Sequence, residues 1–269
     1  MQRISGNYII SKNRAQKQVT HNAMVRAGIP HSIVIERGQY DAYRKALPDV
    51  ELLVIDGDDL GVAHARNACL DFAKQQEKRV CWIWDDDVSI FQRDTVSETG
   101  NWKFCPCKKD YTECWARVLV KSKYSGVHLS TPQFSFKQSR PAACAHIGLG
   151  WAYGIDILKC RLRYDESFGL CEDMEWSIRF FLSGFSMLEI YNFTVTSPDA
   201  GKDVGGNYGL RESGEEAVAL GRLMDAYGRD YFKKNKATLY RPVYSKFAAE
   251  GERRAIEKWF KESCGEVRF

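Results

Sequence analysis

Apolar positions in this chain fall into short runs separated by turn residues. Tyr8-Ile9-Ile10 forms a short strand that breaks into the polar stretch Ser11-Lys12-Asn13-Arg14. A helix fits Val19 to Ala27 and is stopped by Gly28 and Pro30. Ser32 to Glu36 and Leu52 to Ile55 read as the second and third strands, and Val62 to Gln75 carries apolar residues at helical spacing. Val80-Cys81-Trp82-Ile83-Trp84 is then apolar throughout. Strands that alternate with helices imply βαβ units and a mostly parallel sheet. A continuously apolar strand belongs in the middle of such a sheet, covered on both faces.

Past Asp87 the rhythm loosens. Residues 94–110 read as a long loop, while Val118-Leu119-Val120 and Gly126 to Leu129 fit strand or helix equally. Trp151 to Ile155 reads as strand, Met174 to Leu182 as helix closed by Gly184, and Leu188 to Tyr191 as strand. Glu215 to Tyr227 and Glu252 to Phe260 have helical spacing. With no internal repeat or low-complexity linker, one domain over residues 1–269 with C-terminal elaborations is the simplest organisation.

Composition supports a folded domain: 44% of the 269 residues are hydrophobic and 28% charged. No apolar run reaches the roughly 18–20 residues of a membrane-crossing helix. The first residues lack the apolar stretch of a secretion signal, so a cytoplasmic location is expected. The nine cysteines, an odd number, suit buried thiols in a reducing compartment. Cys105, Cys107 and Cys114 cluster, but three thiols without a nearby His fall short of a zinc set. Charge is unevenly spread: residues 101–163 carry a net +8, residues 164–228 a net −8 and residues 229–269 a net +5. Basic segments rich in Tyr, Trp and Phe suit a polyanionic partner, although a solvated lysine face is the plainer reading.

The strongest chemical signal is Trp82-Ile83-Trp84-Asp85-Asp86-Asp87, an apolar strand running into three aspartates. Adjacent carboxylates raise one another's pKa, so they must splay into water or share a cation. Ligands of open α/β sheets bind beyond the carboxyl ends of the strands, where this triplet falls. Asp85 and Asp87 therefore read as a D-x-D site for Mn²⁺ or Mg²⁺, which take carboxylate and phosphate oxygens. Asp56-Gly57-Asp58-Asp59 resembles it but precedes a helix, and Asp59 reads as that helix's N-cap. In Cys171-Glu172-Asp173-Met174, Glu172 or Asp173 could take the proton of an attacking hydroxyl, and capping is the plainer alternative. Ser11, Arg14, Glu36, Arg66, Asn67 and Lys202 are candidates for holding a nucleotide or diphosphate near strand ends.

This ordered set resembles the GT-A glycosyltransferases. More narrowly, it is similar to the TET/JBP-associated glycosyltransferases of bacteriophages, over roughly residues 8–210. The resemblance implies an α/β GT-A-like fold with a mostly parallel sheet and a C-terminal helical extension. It also implies a UDP-sugar donor, Mn²⁺ or Mg²⁺, and an acceptor that is a hydroxymethylated pyrimidine in DNA. Residues 1–100 would be the nucleotide-sugar-binding half, with Asp86 beside the donor. Residues 101–210 would be the acceptor half and 211–269 the extension. Asp85 and Asp87 match the metal motif, and Asp173 or Glu172 the catalytic carboxylate. Many GT-A enzymes use a late His as a further ligand. Here the last His is His146, before the Glu-Asp pair, and Asp199 or Asn207 would have to substitute. The basic segments could then track DNA phosphates, and Trp102, Tyr111, Trp115, Tyr124 or Trp151 could stack on an extruded base. Competing readings are a glycosyltransferase acting on protein, glycan or small molecule, a nucleotidyltransferase, a metal nuclease and a non-enzymatic DNA-binding module.

Overall fold

Side chains of a strand alternate between faces, and here both faces are apolar. Tyr8 and Ile10 of β1 (Ser5–Ile10), Val34 of β2 (Ser32–Glu36), and Cys81 and Ile83 of β4 (Val80–Asp85) enter one buried cluster. Ile9, Ile33, Ile35, Trp82 and Trp84 enter a second on the opposite side. The result is three layers, helix, sheet and helix, with a core on each side of the sheet. The computed structural model describes residues 2–135, 143–146, 149–197, 214–234 and 240–264.

Among the described residues the main sheet has eight strands in the order β3-β2-β1-β4-β9-β7-β10-β8. It adds β3 (Glu51–Ile55), β7 (Gly126–Leu129), β8 (Ala143–His146), β9 (Ala152–Asp156) and β10 (Met187–Ile190). β3, β2, β1 and β4 are mutually parallel, and β7 and β10 share their direction. β9 runs antiparallel between β4 and β7, and β8 antiparallel at the edge. The continuously apolar β4 does lie mid-sheet, with Trp82 and Trp84 fully buried and their rings stacked 5.8 Å apart. Gly154 of β9 lies against Trp82, where a Cβ would come within 3.0 Å of the indole. On the first side pack α3 (Val62–Gln75), α6 (Glu172–Leu182), α7 (Glu215–Tyr227) and α8 (Tyr244–Cys264); on the other pack α1 (Val19–Ala27), α2 (Tyr40–Ala46) and α4 (Thr112–Lys121).

Several elements differ from expectation. Residues 94–110 are not one loop: β5 (Ser89–Val96) and β6 (Trp102–Pro106) form a hairpin that β11 (Phe193–Thr196) completes into a three-stranded sheet. Its polar exposed positions hid the alternation that buries Ile90 beside Val195. Residues 118–120 are helical, within α4, and 126–129 are strand. A 3₁₀ turn over Arg37–Gln39, α2 and the short α5 (Pro132–Ser135) were not foreseen. The last helix begins well before Glu252, and a two-stranded hairpin, β12 (Phe232–Lys234) with β13 (Tyr240–Pro242), leads into it. α8 approaches α6 closely at Gly251, where a Cβ would fall 1.8 Å from the Phe181 carbonyl oxygen. Among the described residues no helix is long and apolar enough to cross a membrane.

Candidate active site

β1 lies between β2 and β4, with Ile10 opposite Val34 on one side and Asp85 on the other. The residues that follow these strand ends therefore share one crevice, the ligand-binding end of an open α/β sheet. The aspartate turn is fastened from α1. The fully buried Thr20 hydroxyl donates to the Asp85 carbonyl at 2.7 Å and accepts from the Val88 N–H at 2.8 Å. The Thr20 N–H donates to the Asp86 carbonyl at 3.2 Å. Sequence patterning shows Thr20 as one polar residue in an amphipathic helix, so nothing there signals this role.

The three aspartates take different environments. Asp86 turns inward and accepts from Ser11 Oγ at 2.5 Å and Arg14 Nη1 at 2.5 Å, while Ser11 Oγ also lies 2.6 Å from the Tyr43 hydroxyl. Burial raises the Asp86 carboxyl, against those two donors. Arg14 Nη1 is also 3.4 Å from Asp87 Oδ2. Asp85 and Asp87 keep 30% and 17% of their side chains exposed, so the outer two carboxylates of the triplet face the crevice.

Arg66 projects from α3 and is buried. Its Nη1 stands 2.8 Å from Glu172 Oε1 and its Nη2 3.6 Å from Asp85 Oδ1. The guanidinium lies 5.9 and 5.6 Å from the ring centroids of Tyr153 and Tyr164, whose hydroxyls bond to each other. Burial pushes the Asp85 carboxyl up to about 7; Arg66 opposes this, and Asp87, Asp86 and Asp173 add to it. Burial likewise raises Glu172, with Arg66 opposing and Asp173 reinforcing. Arg66 is thus enclosed between carboxylates and tyrosines rather than directed into the crevice.

Asn67 is also turned away from the crevice. Its amide donates to the Tyr164 carbonyl at 3.0 Å and to Glu166 Oε1 at 2.8 Å, and its carbonyl accepts from the Tyr164 N–H at 2.8 Å. It clamps the segment before α6. Glu36 ends β2 and accepts from Lys12 Nζ at 2.8 Å, Gln39 Nε2 at 3.3 Å and the Asp59 N–H at 3.1 Å. Asp59 does not cap α3. Its φ is +58°, its carboxylate bonds Lys12 at 2.5 Å, and Gly61 occupies the N-cap. Lys202, with Asp199 and Asn207, lies outside the described residues.

α6 opens at Glu172, two residues before the expected Met174, after Gly169 and Cys171 turn the chain through positive φ angles of 58° and 72°. Its first turn carries Glu172, Asp173 and Glu175. Glu172 is buried against Arg66, and Glu175 is buried against Arg179 and the Tyr227 hydroxyl, the latter at 2.8 Å. Asp173 is half-buried, and its charge is felt at Asp85 across the crevice. Of the Glu-Asp pair, Asp173 is the less enclosed.

Among the described residues no group of three His, Cys, Asp or Glu side chains is arranged to hold a metal by itself. Asp85 and Asp87 nevertheless suit a hard divalent ion, which commonly takes one or two carboxylates and completes its shell with phosphate oxygens and water. The charge balance also suits one: Arg14 pairs with Asp86 and Asp87, Arg66 pairs with Asp85 and Glu172, and Asp173 adds a fifth carboxylate whose charge raises Asp85. Cys107 is a core thiol bonded to the Lys109 carbonyl at 3.1 Å, Cys105 is half-buried and Cys114 exposed, and all three are free. Among the aromatics, Tyr111 packs 5.5 Å from Phe193, and Trp115, Tyr124 and Trp151 pack against the core. Trp102 lies on the small sheet with Arg93 5.1 Å from its ring.

Residues 7–206 match the family model of the TET-Associated Glycosyltransferase family. The chain belongs to the TET-associated glycosyltransferases. No curated protein matches the sequence. Among solved structures, this TET-associated glycosyltransferase is similar to GalNAc-T7 crystallised with UDP, GalNAc and Mn²⁺. The TM-score is 0.57 at 12% identity, over 97% of this chain and 56% of that one. It therefore spans little more than half of the GalNAc-T7 chain, and the likeness is one of fold, GT-A. S. aureus TarS 1–349 in complex with UDP superposes with a TM-score of 0.49 at 13% identity, over 98% of this chain and 76% of that one.

Proposed function

We propose that this chain is a metal-dependent glycosyltransferase that moves a sugar from a UDP-sugar to the hydroxyl of a 5-hydroxymethylpyrimidine in DNA. The observation that carries the reading is the presence of Asp85 and Asp87, partly exposed at the end of β4, with Asp173 in the first turn of α6 near enough for its charge to raise the Asp85 carboxyl. The UDP donor is further supported by family membership and by the GT-A fold shared with the UDP-bound and Mn²⁺-bound GalNAc-T7.

On this reading Asp85 and Asp87 would hold a divalent ion, which would supply counter-charge to the diphosphate. Asp86 with Ser11, Arg14 and Tyr43 forms the floor that keeps the turn in place. Glu36, with Lys12 and Gln39, offers a carboxylate at the end of β2 for donor hydroxyls. Arg66 and Glu172 hold Asp85 and the start of α6 in register, and Asn67 positions the segment before it. Asp173 takes the proton of the acceptor hydroxyl. As that oxygen bonds to the sugar's anomeric carbon, the bond from that carbon to the diphosphate oxygen breaks and UDP leaves. Residues 1–100 serve the donor, residues 101–210 the acceptor and residues 211–269 the rim of the site. Exposed Lys103, Lys108, Lys109, Lys121 and Lys123, with Lys233 and Lys234, suit a DNA backbone.

The test is an assay with Mn²⁺, a panel of UDP-sugars and three duplexes: unmodified, hydroxymethylcytosine-containing and hydroxymethyluracil-containing. Digested nucleosides are weighed by mass spectrometry, with Asp87→Ala as control. The expected outcome is a sugar-sized mass gain on one modified base, lost in the variant. UDP release without mass gain on any duplex would retain the donor site and overturn the DNA acceptor.

A further inference from the structure

The candidate site has more acid than base at hand, and its two inner arginines are already engaged. Arg14 is bound to Asp86 and Asp87, and Arg66 to Asp85 and Glu172. A third arginine approaches the first turn of α6 from the far end of the chain. Arg241 sits in β13, beyond the family-matched residues 7–206, and is exposed. Its Nη1 lies 3.9 Å from Sδ of Met174, the residue after Asp173. Its charge is felt at Cys171, the N-cap of α6, and at Tyr244, which also feels Asp173. Among the described residues it makes no ion pair with a carboxylate.

The position of Arg241 is built rather than incidental. β13 is held by its pairing with β12, Lys233 opposite Arg241 and Phe232 opposite Pro242. Phe232 and Phe247 are buried beneath the hairpin, and the Tyr231 ring lies 4.7 Å from that of Phe247. Tyr244, three residues on, bonds Ser177 in α6, and its ring lies 5.8 Å from that of Phe181. The glycine contact between α8 and α6 fixes the same junction. A guanidinium that is exposed at the first turn of α6, with the Met174 thioether as its near neighbour, lacks a strong acceptor. A fork of five N–H donors fits phosphate oxygens.

We propose that Arg241 binds a phosphate group of the reaction, so that the C-terminal extension completes the active site. The phosphate is either the donor's diphosphate or the backbone phosphate beside the acceptor base, and both offer the same chemistry. The proposal rests on the glycosyltransferase reading given above. It makes the extension a working part of the enzyme, and it gives the departing diphosphate or the docked strand a counter-charge that the two inner arginines do not provide.

The test uses the full chain and its Arg241→Gln and Arg241→Lys variants, with melting temperatures checked first. UDP affinity is measured by calorimetry with Mn²⁺ and no DNA. Affinity for a hydroxymethylcytosine duplex is measured by fluorescence anisotropy at two salt concentrations with no donor. The expected result is a loss of about ten- to a hundredfold in one arm for Arg241→Gln, with much of it restored in Arg241→Lys. A loss in the UDP arm assigns Arg241 to the diphosphate. A loss in the DNA arm with a shallower salt dependence assigns it to the backbone. If wild type binds UDP or DNA and Arg241→Gln, stably folded, matches it within about threefold in both arms, the proposal is overturned alone. If wild type binds neither, the glycosyltransferase reading falls and Arg241's role falls with it.

Discussion

Arg66 Nη1 stands 2.8 Å from Glu172 Oε1, which ties a helix of the N-terminal half to the first turn of α6. The two residues are 106 positions apart in sequence and both are buried. Through its second nitrogen the same guanidinium reaches Asp85. The proposed metal ligand and the helix bearing the proposed base are therefore set relative to each other by one side chain.

Replacing Arg66 with Met leaves Glu172 buried beside other carboxylates without its cation. Breaking a buried pair in this way costs on the order of 3–5 kcal/mol. Chemical denaturation of Arg66→Met should show a loss of that size, and Arg66→Met/Glu172→Gln should recover part of it. A double variant no more stable than the single one would mean that the pair is not coupled as drawn.

Asp85 supplies a pH dependence with a definite sign. Its carboxyl is raised by burial to about 7, above its unfolded value near 4. The native state then binds more protons than the unfolded state between those values, so this group lowers stability as pH rises from about 4 to 7. A divalent ion binds the deprotonated form. The rise in melting temperature on adding Mn²⁺ should therefore be small at pH 6 and larger at pH 8. Asp85→Asn should remove most of that rise. A gain independent of pH, or retained in Asp85→Asn, would separate the ion from Asp85.

Thr20→Val keeps shape and removes the hydroxyl that links Asp85 and Val88. The buried Val88 N–H loses its acceptor, at a cost of roughly 1–3 kcal/mol. Sugar transfer should fall as the aspartate turn loosens, while Thr20→Ser should stay close to wild type in both stability and turnover. Denaturant titration and initial rates at saturating Mn²⁺ check this, and a fully active Thr20→Val would remove Thr20 from the site's support.

Asn67→Leu separates a clamp from a nucleotide contact. Its three hydrogen bonds go to Tyr164 and Glu166, so stability should drop by about 1–3 kcal/mol while UDP affinity in the folded variant stays near wild type. A large rise in the UDP dissociation constant without loss of stability would restore Asn67 to the nucleotide.

The N-terminal half was legible because its signals are local. Each of β1, β2, β3 and β4 contains a dense apolar run, and α1 and α3 have clear helical spacing, with a glycine stop after α1. Asp85 and Asp87 stood out because an acidic triplet after such a strand is conspicuous. Residues 94–110 were misread because their hairpin buries one face lightly and carries polar side chains on the rest. The environments of Arg66, Asn67 and Thr20 could not be read at all, since each depends on at least one partner 65 or more positions away. Asp59 misled for a related reason: its cap-like position is overridden by Lys12, in the turn after β1, and Glu36 of β2.

The order of the main sheet has a consequence for the way the chain is made. β3, β2, β1 and β4 are contiguous neighbours, and no later strand is inserted among them. Their hydrogen-bonded ladder is complete once residue 85 has left the ribosome, with α1, α2 and α3 available to cover it. β9 waits for its own synthesis before it can lie against β4, and the C-terminal hairpin comes last. Translation thus delivers the strands of the proposed donor half first, while the groups that would complete the chemistry, Asp173 and then Arg241, follow in turn.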